Sequence, residues 1–175
     1  MNKVINVKLT TSGIEAAIRE LRKYERRLYR KSVVLRERVS YFIAKDASAV
    51  FNTAAAGDDL REGTITGNVQ VSVEQKGNNV TLIIADGKDA VFMEFGAGVY
   101  FNGPVGSSPN PLGTELGFTI GSYSTHKPDK EIWGYKGEDG EIHLTHGTPA
   151  SMPLYRAVQR VWKDIDRIAQ EVFST

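Results

Sequence analysis

The chain contains no cysteine in its 175 residues. This absence excludes disulfide bonds, thiolate nucleophiles and thiolate metal ligands, and it is typical of proteins made in a reducing cytoplasm. The sequence also lacks a long apolar run, so we expect no membrane-spanning segment. The start, MNKVINVKLT, has no apolar centre of the kind that a signal peptide requires.

The overall composition is that of a folded protein. Apolar residues make up 41% of the chain and charged residues 25%, which is too apolar for a disordered polypeptide. A chain of 175 residues is long enough to bury a hydrophobic core and fits one domain better than two. We therefore expect a single domain over residues 1–175.

The small net charge of +1 hides a strong asymmetry along the chain. Residues 1–45 hold 12 Lys or Arg against 4 Glu, a charge of +8, whereas residues 46–175 hold 10 against 17 acidic residues, a charge of −7. Such a split indicates either a solvated helix face or an interaction arm that meets nucleic acid or the acidic part of a neighbouring copy. The candidate contact residues of this arm are Arg22, Lys23, Arg26, Arg27, Arg30 and Lys31.

A long basic helix is predicted over residues 13–56, either as a projecting arm or with a bend around Tyr29–Val33. Ser12 and Glu15 have the spacing of a capping box, and neither Gly nor Pro interrupts the segment from Ile14 to Ala56. Apolar residues recur every seven positions, which predicts that one face of the helix packs against other elements. The residues of this heptad stripe are Ile14, Leu21, Leu28, Leu35, Phe42 and Ala49, with Ile18 and Val39 beside them.

The centre of the chain reads as antiparallel strands. Apolar and polar residues alternate over Val69–Val73 and again over Val80–Ile84, with turn residues at 77–79 between them. The turn at Asp86–Gly87 leads into the apolar segment Ala90–Phe95, which we predict to be a third strand. Residues 64–95 would then form a meander.

Residues 96–121 hold seven of the 17 glycines and three prolines, which predicts a long loop of the kind that often carries function. A second, short hairpin is predicted over 131–146 and a helix over 152–173. The expected fold class is therefore α+β, with an antiparallel sheet, composed of a meander and a short hairpin, packed by a long N-terminal helix and a C-terminal helix.

Few residues suggest catalysis. His143 and His146 lie three positions apart, near His126, Asp139 and Glu141 in sequence, but a strand does not direct positions three apart to one metal ion. Neither a G-x-S-x-G elbow nor a phosphate-binding G-K-[ST] segment is present. Glu94 is the most suggestive carboxylate, and we interpret it as an edge or interface residue paired with a basic group in preference to a general acid or base. We predict no enzyme activity, cofactor or metal.

The order of the motifs resembles a known phage family. A basic amphipathic helix is followed by VFMEFGAG, a Gly/Pro-rich loop, IWGYKGEDG and then THGTPASMPLYRAV before a last helix. Together these segments resemble the small head–tail joining or tail-completion proteins of long-tailed bacteriophages, also called minor capsid proteins. The matching positions are Glu94, Phe95, Gly96 and Gly98, then Trp133 and Tyr135, then Gly147, Pro153 and the positions around Leu154–Ala157.

The resemblance covers most of the chain and has two departures. The family's Pro-x-x-Thr-Gly-x-Leu segment lacks its proline in TAAAGDDLREGTITGNVQ, and Leu154 and Tyr155 stand where a Pro-Phe pair is more usual. The resemblance implies a structural virion protein, made in the host bacterial cytoplasm, that forms a homo-oligomeric ring at the neck or tail end and contacts other neck or tail proteins. The residues expected at such interfaces are Glu94, Phe95, Gly96, Gly98, Tyr100, Phe101, Trp133 and Tyr135.

Two other functions stay open. A DNA-binding accessory protein would use the basic helix, and its contacts would be unspecific and sensitive to salt because phosphates alone are read. A small metal-dependent hydrolase would use His143, His146 and Glu141.

Overall fold

The computed structural model describes residues 8–53, 69–77, 79–98, 107–118, 133–137, 139–145, 147–148 and 150–174. Contacts between Cα atoms divide the chain into two compact units. The described part of the first unit consists of residues 8–39 and Ile165–Ser174, and the second unit extends from Ser40 to Asp164. Among the described residues, no helix has both the length and the apolar character needed to cross a bilayer.

The described chain combines a long N-terminal helix, antiparallel strand pairs and C-terminal helices, which confirms the predicted α+β class. The elements in order are α1 (Thr11–Thr53), β1 (Gln70–Lys76), β2 (Val80–Asp86), α2 (Ala90–Phe95), β3 (Ala97–Gly98), α3 (Pro111–Glu115), β4 (Trp133–Lys136), β5 (Ile142–Thr145), β6 (Gly147–Thr148), α4 (Pro153–Lys163) and α5 (Ile165–Ser174).

Helix α1 is 43 residues long and begins two residues before the predicted start. The capping residue is Thr10, whose Oγ1 accepts a hydrogen bond from the backbone N–H of Gly13 at 3.1 Å. This bond satisfies one of the N–H groups that the first turn of a helix leaves without a partner. The expected capping role of Ser12 is therefore wrong, since Ser12 already lies inside the helix.

The buried face of α1 differs from the predicted heptad stripe. Within the second unit, the helix buries Ser40, Ile43, Ala47 and Phe51, spaced three or four residues apart. Phe51 and Ala47 have no exposed surface, whereas Phe42 of the heptad stripe is 36% exposed. The intervals of three and four follow the true period of the helix, about 3.6 residues per turn, and this determines which side chains reach the core.

In the first unit, α5 packs along the middle of α1. The ammonium of Lys31 donates to the backbone oxygen of Phe173 at 3.1 Å, and Arg38 forms an ion pair with Glu171 at 3.4 Å. Helix α5 buries two aliphatic side chains, Ile168 and Val172. The earlier residue of α1 therefore contacts the later residue of α5, so the two helices run antiparallel.

The described strands form three separate two-stranded antiparallel ribbons: β1 with β2, β3 with β6, and β4 with β5. In the largest, Val73 pairs with Ile83 and Gln70 with Asp86. In the ribbon of β4 and β5, Trp133 pairs with Thr145. These pairings confirm the two predicted hairpins.

The predicted third strand over Ala90–Phe95 is wrong, because this segment is helix α2. Its buried residues Ala90, Met93 and Glu94 lie three and four positions apart, and the helix packs against α4. Gly96 ends the helix with a φ of 80°, a conformation that glycine adopts without strain. The meander expected over 64–95 is thus a hairpin followed by a helix, and residues 64–68 lie outside the described chain.

The Gly/Pro-rich segment 96–121 contains the short strand β3 and the short helix α3 in its described part. Asn110 caps α3, and Pro111 occupies the first helical turn, where a missing N–H has no consequence. The helix expected over 152–173 is divided at Asp164 into α4 and α5.

Substitution of Phe51 distinguishes the buried face of α1 from the heptad stripe. We expect Phe51→Ala to lower the free energy of unfolding by about 3–5 kcal/mol, because a fully buried ring leaves a cavity. Phe42→Ala, on the exposed stripe of the same helix, is the matched control and should have an effect of about 1 kcal/mol or less. Urea unfolding followed by circular dichroism measures both, and an equal effect of the two substitutions would contradict the assignment.

Candidate functional site

The most constrained polar side chain of the described chain is Glu94. It lies on α2 and is 6% exposed, in the middle of the VFMEFGAG segment. Its burial follows from the helical spacing with Ala90, which directs both residues toward α4. Burying a carboxylate is unfavourable unless hydrogen bonds replace the lost water, so its partners are the key to this site.

The carboxylate of Glu94 binds the N-terminus of α4. One oxygen, Oε2, accepts from the backbone N–H of Leu154 at 2.8 Å, and the other, Oε1, accepts from the N–H of Tyr155 at 3.0 Å. These two N–H groups belong to the first turn of α4, where the helix itself supplies no acceptor. The positive end of the helix dipole further stabilises the negative charge.

The backbone around α4 explains why the cap comes from another helix. The residue before α4, Met152, has the left-handed conformation, with φ 53° and ψ 54°, and its side chain does not cap the helix. The N–H groups of Met152 and Ser151 both donate to the backbone oxygen of Met93, at 3.1 and 2.9 Å. The hydroxyl of Ser151 donates to the same oxygen at 3.1 Å. Met93 and Glu94 therefore together hold the start of α4.

Asn110 connects a third segment to the same carboxylate. Its side-chain amide donates to Glu94 Oε1 at 3.0 Å, while its side-chain oxygen accepts from the N–H of Leu112 and caps α3. Asn110 is 1% exposed. One buried amide thus serves two helices, and Glu94 Oε1 receives two of the three hydrogen bonds made to the carboxylate. We call Glu94, Asn110 and the first turn of α4 the Glu94 joint.

Packing beside the Glu94 joint fixes α3 against α2. The rings of Phe95 and Phe118 stack with centroids 4.5 Å apart and planes 6° from parallel. Ser108 donates to the backbone oxygen of Phe95 at 3.4 Å and lies so close to Gly113 that a Cβ there would sit 2.1 Å from its hydroxyl. A side chain at position 113 would therefore push Ser108 away from α3.

Glu94 serves as a remote cap for α4. Its carboxylate accepts three hydrogen bonds within the protein, from the backbone N–H groups of Leu154 and Tyr155 and from the side-chain amide of Asn110. The expected pairing with a basic group is wrong for the described part of the chain, where its partners are two backbone N–H groups and one amide. Sequence reasoning singled out Glu94 as the most suggestive carboxylate but missed Asn110, although Asn followed by Pro is a recognisable start signal for a helix.

The other predicted interface residues are only partly described. Gly96 ends α2, and Gly98 lies in β3, where it pairs with Gly147 of β6. Trp133 and Tyr135 belong to strand β4. Tyr100 and Phe101 lie outside the described residues. The structure thus brings Met93 and Glu94 together with the later SMPLY segment.

The predicted basic contact residues lie on α1 in the first unit. Every residue from 21 to 30 is exposed, which includes Arg22, Lys23, Arg26, Arg27 and Arg30, and Lys31 is half-buried. Lys23 forms an ion pair with Glu20 at 3.1 Å, and the guanidinium of Arg27 lies 5.5 Å from the centre of the Tyr24 ring. These basic groups extend over about three turns of the helix, and Arg26 and Arg30 line a shallow depression with Glu25 and Tyr29.

Of the three histidines of the predicted cluster, His143 lies among the described residues. Among the described residues, no group of three or more potential ligands could hold a metal ion. The Nε2 atom of His143 lies 2.8 Å from Asp139 Oδ2, while His126 and His146 lie outside the described residues. The N–H of Glu141 and then the His143 ring hold the pKa of Asp139 below its ordinary value of 3.8. This arrangement closes the turn between β4 and β5.

Substitutions of Glu94 test the joint. Glu94→Ala should lower the free energy of unfolding by about 2–4 kcal/mol, because it removes a helix cap and leaves partly buried N–H groups without an acceptor. Glu94→Gln keeps one acceptor oxygen and should fall between the alanine variant and the wild type. The exposed Glu115→Gln in α3 is the control, with an effect within about 0.5 kcal/mol. An alanine variant as stable as the control in urea unfolding would refute the role of the joint.

The turn between β4 and β5 gives a pH prediction. Because the folded-state pKa of Asp139 is lowered, its ionised form stabilises the turn above about pH 3.8, and this stabilisation is lost as pH falls through the lower folded-state pKa. His143→Ala should raise the pKa of Asp139 but leave it below 3.8, since the bond from the N–H of Glu141, its largest cause, remains. NMR titration of the Asp139 carboxyl measures this value, with Leu144→Ala as control. No change in His143→Ala would contradict the contact.

No protein-family model, curated protein or solved structure matches the chain. The resemblance to head–tail joining proteins therefore stays a prediction from short motifs and their order. What the Glu94 joint contributes to function has to be inferred from its own contacts.

Proposed function

We propose that the protein is a structural component of a long-tailed bacteriophage virion, which acts in head–tail connection or tail completion as a ring-forming oligomer. The observation that carries this proposal is the Glu94 joint. It joins two motifs on which the resemblance rests, because Glu94 of the first binds Leu154 and Tyr155, at the start of the Leu154–Ala157 segment, across about 60 positions of sequence. Residues that were matched only by their order in the chain are therefore in physical contact.

The chemistry of the joint also favours a structural role. All of its hydrogen bonds hold helices in fixed positions, and its carboxylate and amide are both buried. A ring subunit needs such rigidity, because a small error in the angle between neighbours is repeated at every contact and prevents closure. The joint would keep the segment that follows α2 at a constant position relative to α4.

The ribbons supply surfaces for assembly. Each described strand pairs with a single described partner, and a two-stranded ribbon is marginally stable in water without a further strand or a packed face. The ribbon of β1 and β2 also exposes Val73 on one face and Val80 and Leu82 on the other, by between 37 and 49%. A neighbouring copy could add a strand or cover this apolar surface, which are common modes of protein association.

The proposed partners are further copies of the chain and other neck or tail proteins, with the virion neck or tail end as the location. DNA-binding by the basic part of α1 is the competing function, supported by the exposure of its arginines. A variant that blocks assembly should abolish the structural function, whereas it should leave an accessory DNA-binding function intact.

The purified protein is expected to form a closed oligomer of one defined mass at micromolar concentration, as measured by native mass spectrometry and light scattering. Val73→Lys places a charge on the exposed face of β1 and should weaken this oligomer about tenfold or more. Gln159→Lys adds the same charge to an exposed position of α4, outside the ribbon, and is the matched control.

A wild-type protein that stays monomeric over the whole concentration range would contradict the assembly function. A monomer that binds duplex DNA with a steep dependence on salt would favour the accessory DNA-binding protein instead.

A further inference from the structure

The part of α1 that precedes its contacts with α5 exposes an apolar stripe. Its members are Ile14, Ile18, Leu21 and Leu28, and they are 47, 44, 55 and 38% exposed. At about 100° per residue, the four side chains fall within about 80° of the helix circumference and form one face. We call these four residues the arm stripe.

The polar side of this part of α1 leaves the arm stripe able to face a copy of itself. Arg26 and Arg30 are exposed, and they lie about 120–170° around the helix from the centre of the arm stripe. Two arm stripes in contact would therefore hold these arginines on the outer sides of the pair, in water and far from each other. Self-association of the arm is not opposed by their charge.

Further along α1, a helix already covers the same stripe. Leu35 follows Leu28 by one heptad and is half-buried. Lys31 and Arg38, on either side of Leu35 in sequence, contact α5, which runs antiparallel to α1 and ends at Ser174. The arm stripe is thus the continuation of a face that packs against an antiparallel helix, beyond the point where that helix ends.

The interval between the residues also favours a helix as the occupant. Ile14, Leu21 and Leu28 follow a strict seven-residue repeat, which in a straight helix drifts by about 20° per heptad and is typical of a coiled-coil seam. A lipid surface does not require this interval, and it would bury Glu25, which lies between Ile14 and Ile18 around the helix. At the rim of a helix pair the Glu25 carboxylate stays in water.

Charges beside the arm stripe determine the direction of the pair. In an antiparallel pair with Leu21 against Tyr24 of the second copy, Glu20 lies opposite Arg27 of the second copy, and two-fold symmetry repeats this ion pair. The guanidinium of Arg27 lies 5.5 Å from the centre of the Tyr24 ring, beside the seam. A parallel pair would place Glu20 opposite Glu25 of the second copy, and like charges there are unfavourable.

The same charges also determine the register. A shift by one heptad in one direction brings Glu20 opposite Glu20 of the second copy. A shift in the other direction brings Glu25 opposite Glu25 and Arg27 opposite Arg27. The register with Leu21 against Tyr24 is the one of these three that pairs opposite charges.

We infer that two copies of the chain pair through their arm stripes as an antiparallel helix pair in this register. The inference goes beyond the proposed assembly function and does not require ring closure. A two-fold contact ends at two copies, so that its combination with a ring contact gives an oligomer with an even number of chains.

Removal of the arm stripe tests the contact. Leu21→Ser with Leu28→Ser should raise the dissociation constant of the arm pair about a hundredfold or more, because each lost leucine contact is worth about tenfold. The mass of the oligomer in native mass spectrometry should therefore fall to half. Ala16→Ser with Arg26→Ser changes exposed positions away from the arm stripe and is the matched control. Circular dichroism and urea unfolding verify that all variants are folded.

A charge exchange tests the direction and the register. Glu20→Arg and Arg27→Glu each place like charges opposite one another and should each weaken the arm pair about tenfold. The two substitutions combined restore opposite charges and should return the dissociation constant to within about threefold of the wild type. Glu15→Arg and Arg22→Glu make the same changes at the same spacing, at exposed positions outside the contact, and are the matched controls. A combined Glu20→Arg and Arg27→Glu variant that stays as weak as the single variants would overturn the inference.

The remaining outcomes separate the arm pair from the assembly function. An arm-stripe variant that keeps the wild-type mass would overturn this inference and leave the assembly function intact. A wild-type dimer that becomes monomeric in the arm-stripe variant would support the arm pair and overturn the ring. An arm-stripe variant that keeps the wild-type mass but no longer sediments with phosphatidylglycerol vesicles would assign the arm to a lipid surface instead.

Discussion

The second unit of the structure depends on one buried carboxylate and the helix end that it caps. Glu94 loses most of its hydration on folding, and this unfavourable term is offset by two backbone N–H groups, one side-chain amide and the dipole of α4. The residue before α4 is left-handed and does not cap the helix, so no local side chain substitutes for Glu94. One charged group thereby positions α2, α3 and the start of α4, which lie far apart in the sequence.

The same arrangement shows what each of the short motifs around Glu94 and Pro153 contributes to the fold. The first turn of α4 presents backbone N–H groups to Glu94. Pro153 opens this helix and has no N–H of its own that would need a partner. Gly96 lets the chain leave α2 immediately after the cap, and Asn110 brings the next segment back to the carboxylate. Each residue thus has a geometric task in joining α2, α3 and the start of α4.

Much of the fold could be predicted from the sequence, because its periodic elements are long. The extent of α1, the two hairpins and the helical C-terminus followed from turn residues and apolar patterns. The segment Ala90–Phe95 was wrongly predicted as a strand, because a run of five or six bulky residues suits either state, and contact with α4 decides between them. The spacing of Ala90, Met93 and Glu94 was a helical signal that could have been read. For the site, Glu94 stood out in the sequence, whereas its role as a remote cap did not, because no local pattern shows which helix end a carboxylate will meet.

The heptad stripe of α1 was interpreted as a packing face, and the structure divides that interpretation into two parts. In the second unit the core is built by Ser40, Ile43, Ala47 and Phe51, whereas Ile14, Leu21 and Leu28 in the first unit remain exposed. Exposed aliphatic residues at regular helical spacing give a monomer no stability, and they favour aggregation unless a partner covers them. Two-stranded ribbons with one described partner per strand present the same problem in backbone hydrogen bonds. In the proposed ring, neighbouring copies would cover both the exposed apolar side chains and the strand edges.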